Sequence, residues 1–157
     1  MIQRQPEARV VGGLLVLGLL LWLLIPTYPN YDAYYHLVWG REILGGGLPS
    51  FEAYAAPTPH PLYLALCTVF AVVGESADRL LVLFAVVSHV AFTWAVYRLG
   101  AAVWDQRAGV VGALLAGSSF ALLLYVARAY VDVPYLALVL WAAVLEAVTG
   151  APRLLAA

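Results

Sequence analysis

The sequence predicts an all-α fold: a polytopic bundle of membrane helices, with about four spanning helices and two interfacial or re-entrant helices in the first outer loop. Composition is the first observation behind this prediction. Hydrophobic residues make up 64% of the 157 residues and charged residues only 11%, whereas soluble domains carry about 25% charged residues. The second observation is that apolar residues occur in runs of about 18, close to the length that a helix needs to cross a bilayer.

The same composition excludes several classes of protein. Intrinsic disorder requires low hydrophobicity and high net charge, and the net charge of -1 offers no basic surface to a nucleic acid. Cys67 is the only cysteine, so an intramolecular disulfide and a cysteine-based metal site are excluded as well. We therefore expect membrane lipids around the chain and no nucleic acid as a partner.

The first predicted span covers about residues 10–28, and its apolar part, Val10 to Thr27, contains no charged residue. A signal peptide is the competing interpretation, because a short charged segment precedes the run. The run is longer than a signal core of about 7–15 residues, however, and no A-x-A cleavage site follows it. We therefore favour a helix that is retained in the membrane.

The first outer loop, about residues 29–78, combines two helical segments with an irregular stretch. The segment over about residues 33–45 has the pattern of an amphipathic interfacial helix and ends at three consecutive glycines. Four prolines between Leu48 and Pro61 predict an irregular loop. A second helix is predicted over about residues 61–74, and its apolar run of about 12 residues is too short to span a bilayer.

Three further spans are predicted, over about residues 79–99, 109–128 and 133–149. Ser118 and Ser119 interrupt the middle run without breaking its apolar character. His89 lies within the first of the three, and we interpret it as a buried histidine whose hydrogen bonds are satisfied.

The arginines decide between four spans and five. With four spans and a cytoplasmic N-terminus, five arginines lie inside and three outside. The inner five are Arg4, Arg9, Arg98, Arg107 and Arg153. If the short second loop helix also crossed, the division would be four against four, and the positive-inside bias would vanish. Four spans place both termini in the cytoplasm and put Asp32 and Asp132 on one outer face, where they can share a site.

Asp32 follows the first span and is the first candidate for a functional carboxylate. Aspartate is also a preferred helix N-cap, so the competing interpretation is that it caps a helix beginning at Ala33. The two interpretations are compatible, because a capping carboxylate on the outer face would still be exposed.

A second group of candidates lies near the start of the last span and in the outer loop. Arg128 and Asp132 are four residues apart and could pair across a helical turn. Ionisable groups at membrane depth also indicate a function by default, so pairing and function stay equally open. His60 lies in a rigid proline-rich loop and could donate to an anionic group, and Glu52 is a carboxylate of the same loop.

The loop aspartate is followed by short segments in a defined order: Gly46–Pro49, His60–Tyr63, Tyr97–Gly100, Trp104–Arg107 and Ala127–Pro134. This order resembles the N-terminal part of the GT-C glycosyltransferases. That superfamily includes protein O-mannosyltransferases, aminoarabinose transferases acting on lipid A, and the catalytic subunits of oligosaccharyltransferase. The His-Pro-Leu beginning at His60 resembles the His-Pro-Pro-Leu of the mannosyltransferases with one proline missing. The resemblance covers about residues 8–150.

The resemblance implies a glycosyltransferase that moves a hexose or pentose from a polyprenyl-phosphate donor to an acceptor at the outer membrane face. It implies that Asp32 is the catalytic carboxylate, that Asp132 helps to shape the site, and that Arg128 contacts phosphate or supports the site. His60 and Glu52 are further candidates for binding substrate. The chemistry fits these residue types, because a carboxylate can act as the base for a hydroxyl and arginine binds phosphate oxygens in a bidentate way.

Two departures from the family pattern shape the expectation. Family members have many more spans, which implies that this chain corresponds to the N-terminal part of a longer enzyme and that a second chain could supply further helices. Neither acidic segment carries a paired Asp-x-Asp, so we assign no metal ligands and no cofactor. Whether a divalent cation takes part stays open at this point. The expected location is a bacterial cytoplasmic membrane.

A small non-catalytic membrane protein, such as a partner subunit, is the alternative from a different class. It predicts that the polar residues tolerate substitution and that no polyprenyl-phosphate sugar is turned over. Half of a transporter is a weaker alternative, because it predicts inverted internal repeats and the sequence contains no convincing one.

Overall fold

The computed structural model describes residues 4–149, and within them all regular secondary structure is helical, with no strand. The helices are α1 Arg4–Leu24, α2 Tyr31–Leu44, α3 Pro61–Ala71, α4 Ala77–Val103, α5 Gln106–Gly117, α6 Phe120–Ala127 and α7 Asp132–Thr149. A 3-10 turn, Gly74–Ser76, precedes α4. The predicted all-α fold is therefore confirmed for this part of the chain. Arg153, which the charge count assigns to the inside, lies outside the described residues.

Within residues 4–149, two helical segments are long and apolar enough to cross a membrane. They are Glu7–Leu24 in α1 and Gly74–Val103, which joins the 3-10 turn to α4. The pair α5 and α6 provides a third if it is counted as one bent span. These segments are consistent with an integral membrane protein. α7 occupies the position of the fourth predicted span, and the count of four spans stays a prediction, as does the assignment of inside and outside.

The continuous helix predicted over residues 109–128 is instead divided in two. α5 ends at Gly117, and the α6 axis is bent from it by 55°. One cause is local: glycine and serine are weak helix formers, and the Ser118 hydroxyl donates to the carbonyl four residues earlier at 2.6 Å. Another cause is tertiary, because His89 Nε2 of α4 donates to the Gly117 carbonyl at 2.9 Å. That bond satisfies one ring nitrogen of His89, while Nδ1 is buried without a partner.

α1 runs antiparallel to α4 and is attached to it near both ends. Trp22 Nε1 donates to the Arg79 carbonyl at 2.8 Å, and the Arg79 guanidinium lies over the Trp22 ring, 4.7 Å from its centroid. Arg79 also donates to the Trp22 carbonyl, one of the groups that a helix end leaves without an internal partner. At the opposite end, Glu7 and Arg98 form an ion pair at 3.5 Å. α1 ends earlier than predicted because Pro26, which has no N–H, cannot continue the helix.

α4 lies at the centre of the bundle and packs against α1, α5 and α7. Its contact with α5 is close enough to require glycine on both helices. A Cβ at Gly109 would lie 2.6 Å from the Tyr97 carbonyl oxygen, and a Cβ at Gly100 would lie 2.8 Å from Gly109 Cα. Small residues of this kind let membrane helices pack closely where lipid offers no hydrophobic driving force.

α2 and α3 form a hairpin close to the segments 33–45 and 61–74 predicted for the outer loop. α2 stops at the glycines, where Gly46 adopts φ +79°, a left-handed conformation that glycine tolerates. α3 has 11 residues and is about 16 Å long, shorter than the hydrocarbon core of about 30 Å. A Cβ at Gly40 would lie 2.8 Å from the Thr68 backbone nitrogen, so the two helices meet backbone to backbone.

The buried core lies where this hairpin meets α4 and the short connection between α6 and α7. We call that connection, residues 128–131, the junction. Core residues from these elements include Ala33, Leu37, Tyr63, Cys67, Leu81, Val126, Ala129 and Val133. The first loop is therefore packed onto the segment that contains Arg128 and Asp132.

Candidate functional site

Two hydrogen bonds attach the first loop to the junction. The Asn30 N–H donates to the Arg128 carbonyl at 2.7 Å. The Tyr63 hydroxyl of α3 donates to the Ala129 carbonyl at 2.9 Å, and both of these residues are buried. The start of α2 and the start of α7 are thereby held at one end of the bundle.

The junction has the form of a helix C-terminal Schellman motif. The Tyr130 N–H donates to the Tyr125 carbonyl at 3.0 Å and the Ala129 N–H to the Val126 carbonyl at 3.0 Å. Ala129 takes the left-handed position with φ +49°, which glycine usually occupies. The rings of Tyr125 and Tyr130 stack with centroids 4.4 Å apart and close the turn. This reversal ends α6 and presents the backbone carbonyls that the first loop binds.

Asp32 lies in the first turn of α2, and its carboxylate is exposed. The N-cap interpretation of this residue is wrong, because Asn30 caps the helix: its Oδ1 accepts from the Ala33 N–H at 2.8 Å. Among the described residues, no hydrogen bond or ion pair engages the Asp32 carboxylate. A carboxylate without a partner at a helix N-terminus is stabilised by the helix dipole and stays available to a substrate.

Arg128 lies beside Asn30, and its guanidinium covers the Tyr28 ring at 4.1 Å from the centroid. Its Nε is buried and has no hydrogen-bond partner. The pairing with Asp132, one of the two alternatives that the sequence left open, is not formed within the described residues, since the Schellman turn replaces the helical turn that would align the two side chains. A half-buried arginine without a carboxylate partner can still bind an anion.

Asp132 is the first residue of α7 and is exposed. It lies four residues after Arg128, as Asp32 lies two residues after Asn30. The hydrogen bond between Asn30 and Arg128 therefore brings the two acidic segments together through their backbones. No contact joins the two carboxylates directly among the described residues.

His60 lies in the segment 45–60 between α2 and α3, which we call the proline loop. Its N–H donates to His36 Nε2 at 3.0 Å, and the two imidazole rings stack with centroids 5.5 Å apart. His36 Nδ1 in turn donates to the Asp32 carbonyl at 2.7 Å. His60 is thus connected to Asp32 through His36, a residue that the sequence analysis did not select.

Glu52 is exposed in the proline loop and is not brought into this cluster by any contact of the described residues. The loop around it is nevertheless held in place. The Tyr31 hydroxyl donates to the Ala55 carbonyl at 2.8 Å, and the Glu42 carboxylate accepts from the Ser50 N–H at 2.7 Å and from its hydroxyl at 2.8 Å. Glu52 therefore lies on a loop that is fixed to α2 by its neighbours, apart from the other candidates.

A row of aromatic rings follows α2 from the acidic end towards the proline loop. Tyr31 and Tyr35 have centroids 4.9 Å apart, Tyr35 and Trp39 5.5 Å, and Trp39 and Phe51 4.9 Å. Aromatic faces of this kind can stack on apolar ligand surfaces, and they are also typical of residues at a membrane interface.

A cavity of about 420 Å³ lies between α4, α5 and α7 and has an apolar lining that includes Leu99 and Trp104. These residues are at the C-terminal end of α4, whereas the first loop packs against residues near its N-terminal end, such as Leu81. The cavity and the segments that carry Asp32 and Asp132 therefore lie at opposite ends of α4. Among the residues that the structure describes, no three His, Cys, Asp or Glu side chains are grouped as metal ligands.

Comparison with protein-family models, with curated proteins and with solved structures finds no match for this chain.

Proposed function

We propose that this chain carries the acidic site of a GT-C-like glycosyltransferase, which transfers a sugar from a polyprenyl-phosphate donor to an acceptor at the outer membrane face. The observation that carries the proposal is the docking of the first loop on the junction. The Asn30–Arg128 hydrogen bond gathers Asp32, Arg128 and Asp132 at one end of a bundle of apolar helices. A lipid-linked donor needs its reacting groups at such an end, where its phosphate leaves the hydrocarbon.

Asp32 is the proposed base. It would take the proton of the acceptor hydroxyl while the new bond forms between that oxygen and the anomeric carbon. The bond from the anomeric carbon to the phosphate oxygen breaks, and its electron pair leaves with the lipid phosphate. The exposed carboxylate, which has no partner among the described residues, suits this role because neither an ion pair nor a hydrogen bond must be broken first.

Arg128 is the proposed phosphate ligand. Its guanidinium rests on Tyr28, and stacking of this kind orients the plane while the N–H groups at its edge stay free to bind oxygens. The buried Nε has no hydrogen-bond partner within the described part of the chain, so a phosphate oxygen would satisfy it. Asp132 would shape the acceptor side of the site, while His60 and Glu52 are further candidates for contacts from the proline loop.

Substitution of Asp32 tests the proposal. We expect Asp32→Asn to lower sugar transfer by about 100-fold or more, the range for loss of a general base. The assay uses the full chain in liposomes with polyprenyl-phosphate hexose and pentose donors. Glu75→Gln is the matched control, because Glu75 is also an exposed carboxylate and lies near the start of α4. The Glu75→Gln variant should transfer sugar at the wild-type rate. Transfer by Asp32→Asn at the wild-type rate would reject Asp32 as the base.

A second candidate function is that of a non-catalytic partner subunit. α1 favours it, because no residue of its Glu7–Leu24 window is buried and α1 packs only against α4 among the described helices. The free face of α1 could receive helices of a second chain. This function predicts no turnover of either class of donor by the chain alone, and co-purification of the chain with a larger membrane protein.

A further inference from the structure

His36 is a buried polar residue beside the candidate site. Its side chain is 1% exposed and lies among α2, α3 and the proline loop. Its Nδ1 lies 2.7 Å from the Asp32 carbonyl oxygen, and its Nε2 lies 3.0 Å from the His60 backbone nitrogen. The ring thus bridges the first turn of α2, which carries Asp32, and the end of the proline loop.

These two bonds fix the protonation state of the ring. A backbone N–H can only donate, so Nε2 must present its lone pair to His60. A carbonyl oxygen can only accept, so Nδ1 must carry the proton that bonds to Asp32. Both bonds can form together only in the neutral Nδ1–H tautomer of His36.

The packing around the ring extends this connection to the junction. The His60 ring stacks on His36 at a tilt of 23°, and the edges of Trp39 and Tyr63 meet it at centroid distances of 5.1 and 5.2 Å. Tyr63 also donates to the Ala129 carbonyl. The proline loop and the first turn of α2 therefore meet at this ring, and Tyr63 connects it to the junction.

We infer that His36 is a positioning residue: as a neutral imidazole it holds the end of the proline loop on the first turn of α2, beside Asp32. The docking itself depends only on the geometry around His36, whereas its importance for sugar transfer rests on the proposed function of Asp32. A proton on Nε2 would point at the His60 N–H, remove the bond and release the loop.

The docking should weaken in acid. The ionisable side chains that face the His36 ring are Asp32 on its own helix, His60 from the proline loop and Tyr63 from α3. Burial is the main reason that the pKa of His36 is lowered from its ordinary 6.5, and the charge of His60 lowers it further. Burial raises the pKa of Tyr63, so this phenol stays neutral. His36 therefore binds a proton more tightly when the loop is undocked. Docking is most stable above pH 6.5 and is lost as the pH falls below it.

Hydrogen exchange of the His60 amide, measured on the full chain in lipid nanodiscs, tests the inference. After correction for the intrinsic exchange rate, we expect protection to fall by up to about tenfold per pH unit below about pH 6.5. His36→Gln places an amide oxygen where it can accept from the His60 N–H, so protection should persist and lose its pH dependence. His36→Phe keeps the ring shape without an acceptor, so protection should be low at every pH.

His60→Gln is the matched control, because it removes the imidazole that stacks on His36 and keeps the backbone donor. Its amide at position 60 should still lose protection as the pH falls, because His36 is unchanged. Protection that is independent of pH in the wild type, or that survives in a folded His36→Phe protein, would overturn the inference. If His36→Phe does not fold, the His36→Gln profile decides alone: a dependence on pH equal to the wild type would contradict the account. Exchange needs no turnover, so this test and the transfer assay can fail separately.

Discussion

α1 and the α2–α3 hairpin are both rich in apolar side chains, yet the structure holds them in opposite ways. The α1 window Glu7–Leu24 has no buried residue, and α1 contacts only α4 among the described helices, through polar contacts near its two ends and side-chain packing at Gly18. The hairpin contains Trp39 and Cys67 at 0% exposure; its two helices pack on each other, contact α4 and are hydrogen-bonded to the junction.

The difference shows what specifies structure in a chain of this composition. Lipid tails are as apolar as leucine, so burying an apolar side chain against protein gains little over leaving it against lipid. Close backbone approaches and hydrogen bonds then decide which elements are fixed. Gly40 and Tyr63 provide such contacts in the hairpin, and Arg79 provides them at one end of α1.

The largest effect is expected when a methyl group is added to a glycine of the hairpin, with the same change in α1 as the control. Gly40→Ala places its Cβ 2.8 Å from the Thr68 backbone nitrogen, and we expect the apparent free energy of unfolding to fall by about 3 kcal/mol, the upper range for overpacking. Gly12→Ala is the matched control, because nothing lies within 4 Å of its Cβ. It should raise that free energy by about 0.5–1 kcal/mol through helix propensity. Denaturation in mixed micelles measures both, and equal effects would end the contrast between the two regions.

The next largest effect concerns the hydroxyl that attaches α3 to the junction. Tyr63→Phe leaves the buried Ala129 carbonyl without the donor at 2.9 Å, and we expect a loss of about 1–3 kcal/mol. The control is Tyr54→Phe, since Tyr54 is 99% exposed and surface changes stay within about 0.5 kcal/mol. The same denaturation assay applies, and an undisturbed Tyr63→Phe protein would mean that apolar packing alone fixes the hairpin.

The smallest effects belong to the two ends of α1. Arg79→Gln removes the stack on Trp22 at 4.7 Å and the donor to the Trp22 carbonyl, so we expect a loss of about 1 kcal/mol. Glu7→Gln removes only a half-exposed ion pair at 3.5 Å, so its loss should lie below about 0.5 kcal/mol. Protease access to the segment between α1 and α2 should increase in the first variant and stay unchanged in the second. The reverse order would show that α1 is held mainly at its N-terminal end.

The sequence alone predicts those parts of the fold that depend on local composition. The all-helical fold, the hairpin helices and the stop at Gly46 all follow from apolar runs and helix-breaking residues. The break after Gly117 does not, because a donor from another helix, His89, completes it. The Schellman turn at the junction is not predicted either, because Ala129 occupies the left-handed position that is usually glycine.

The residues of the candidate site also fall into those that the sequence predicts and those that it does not. Asp32, Arg128 and Asp132 could be selected because charged residues are rare in this chain and mark positions that need an explanation. Asn30, which caps α2 and binds the junction, and His36, which binds the Asp32 carbonyl, could not be selected. Asn30 binds Arg128 and His36 binds His60, and no local pattern encodes these distant partners. A histidine four residues after a candidate aspartate in a helix was the one signal that could have revealed His36.

The central claim is that Asp32 and Asp132 lie at the same end of the bundle, on one side of the membrane. Labelling of single cysteines in sealed membrane vesicles with an impermeant maleimide tests it directly. The native Cys67 should give little background, because it is buried and burial raises the pKa of its thiol to about 12. Asp32→Cys and Asp132→Cys should react from one side, and Asp105→Cys, in the turn between α4 and α5, from the other. Labelling of positions 32 and 132 from opposite sides would contradict the account.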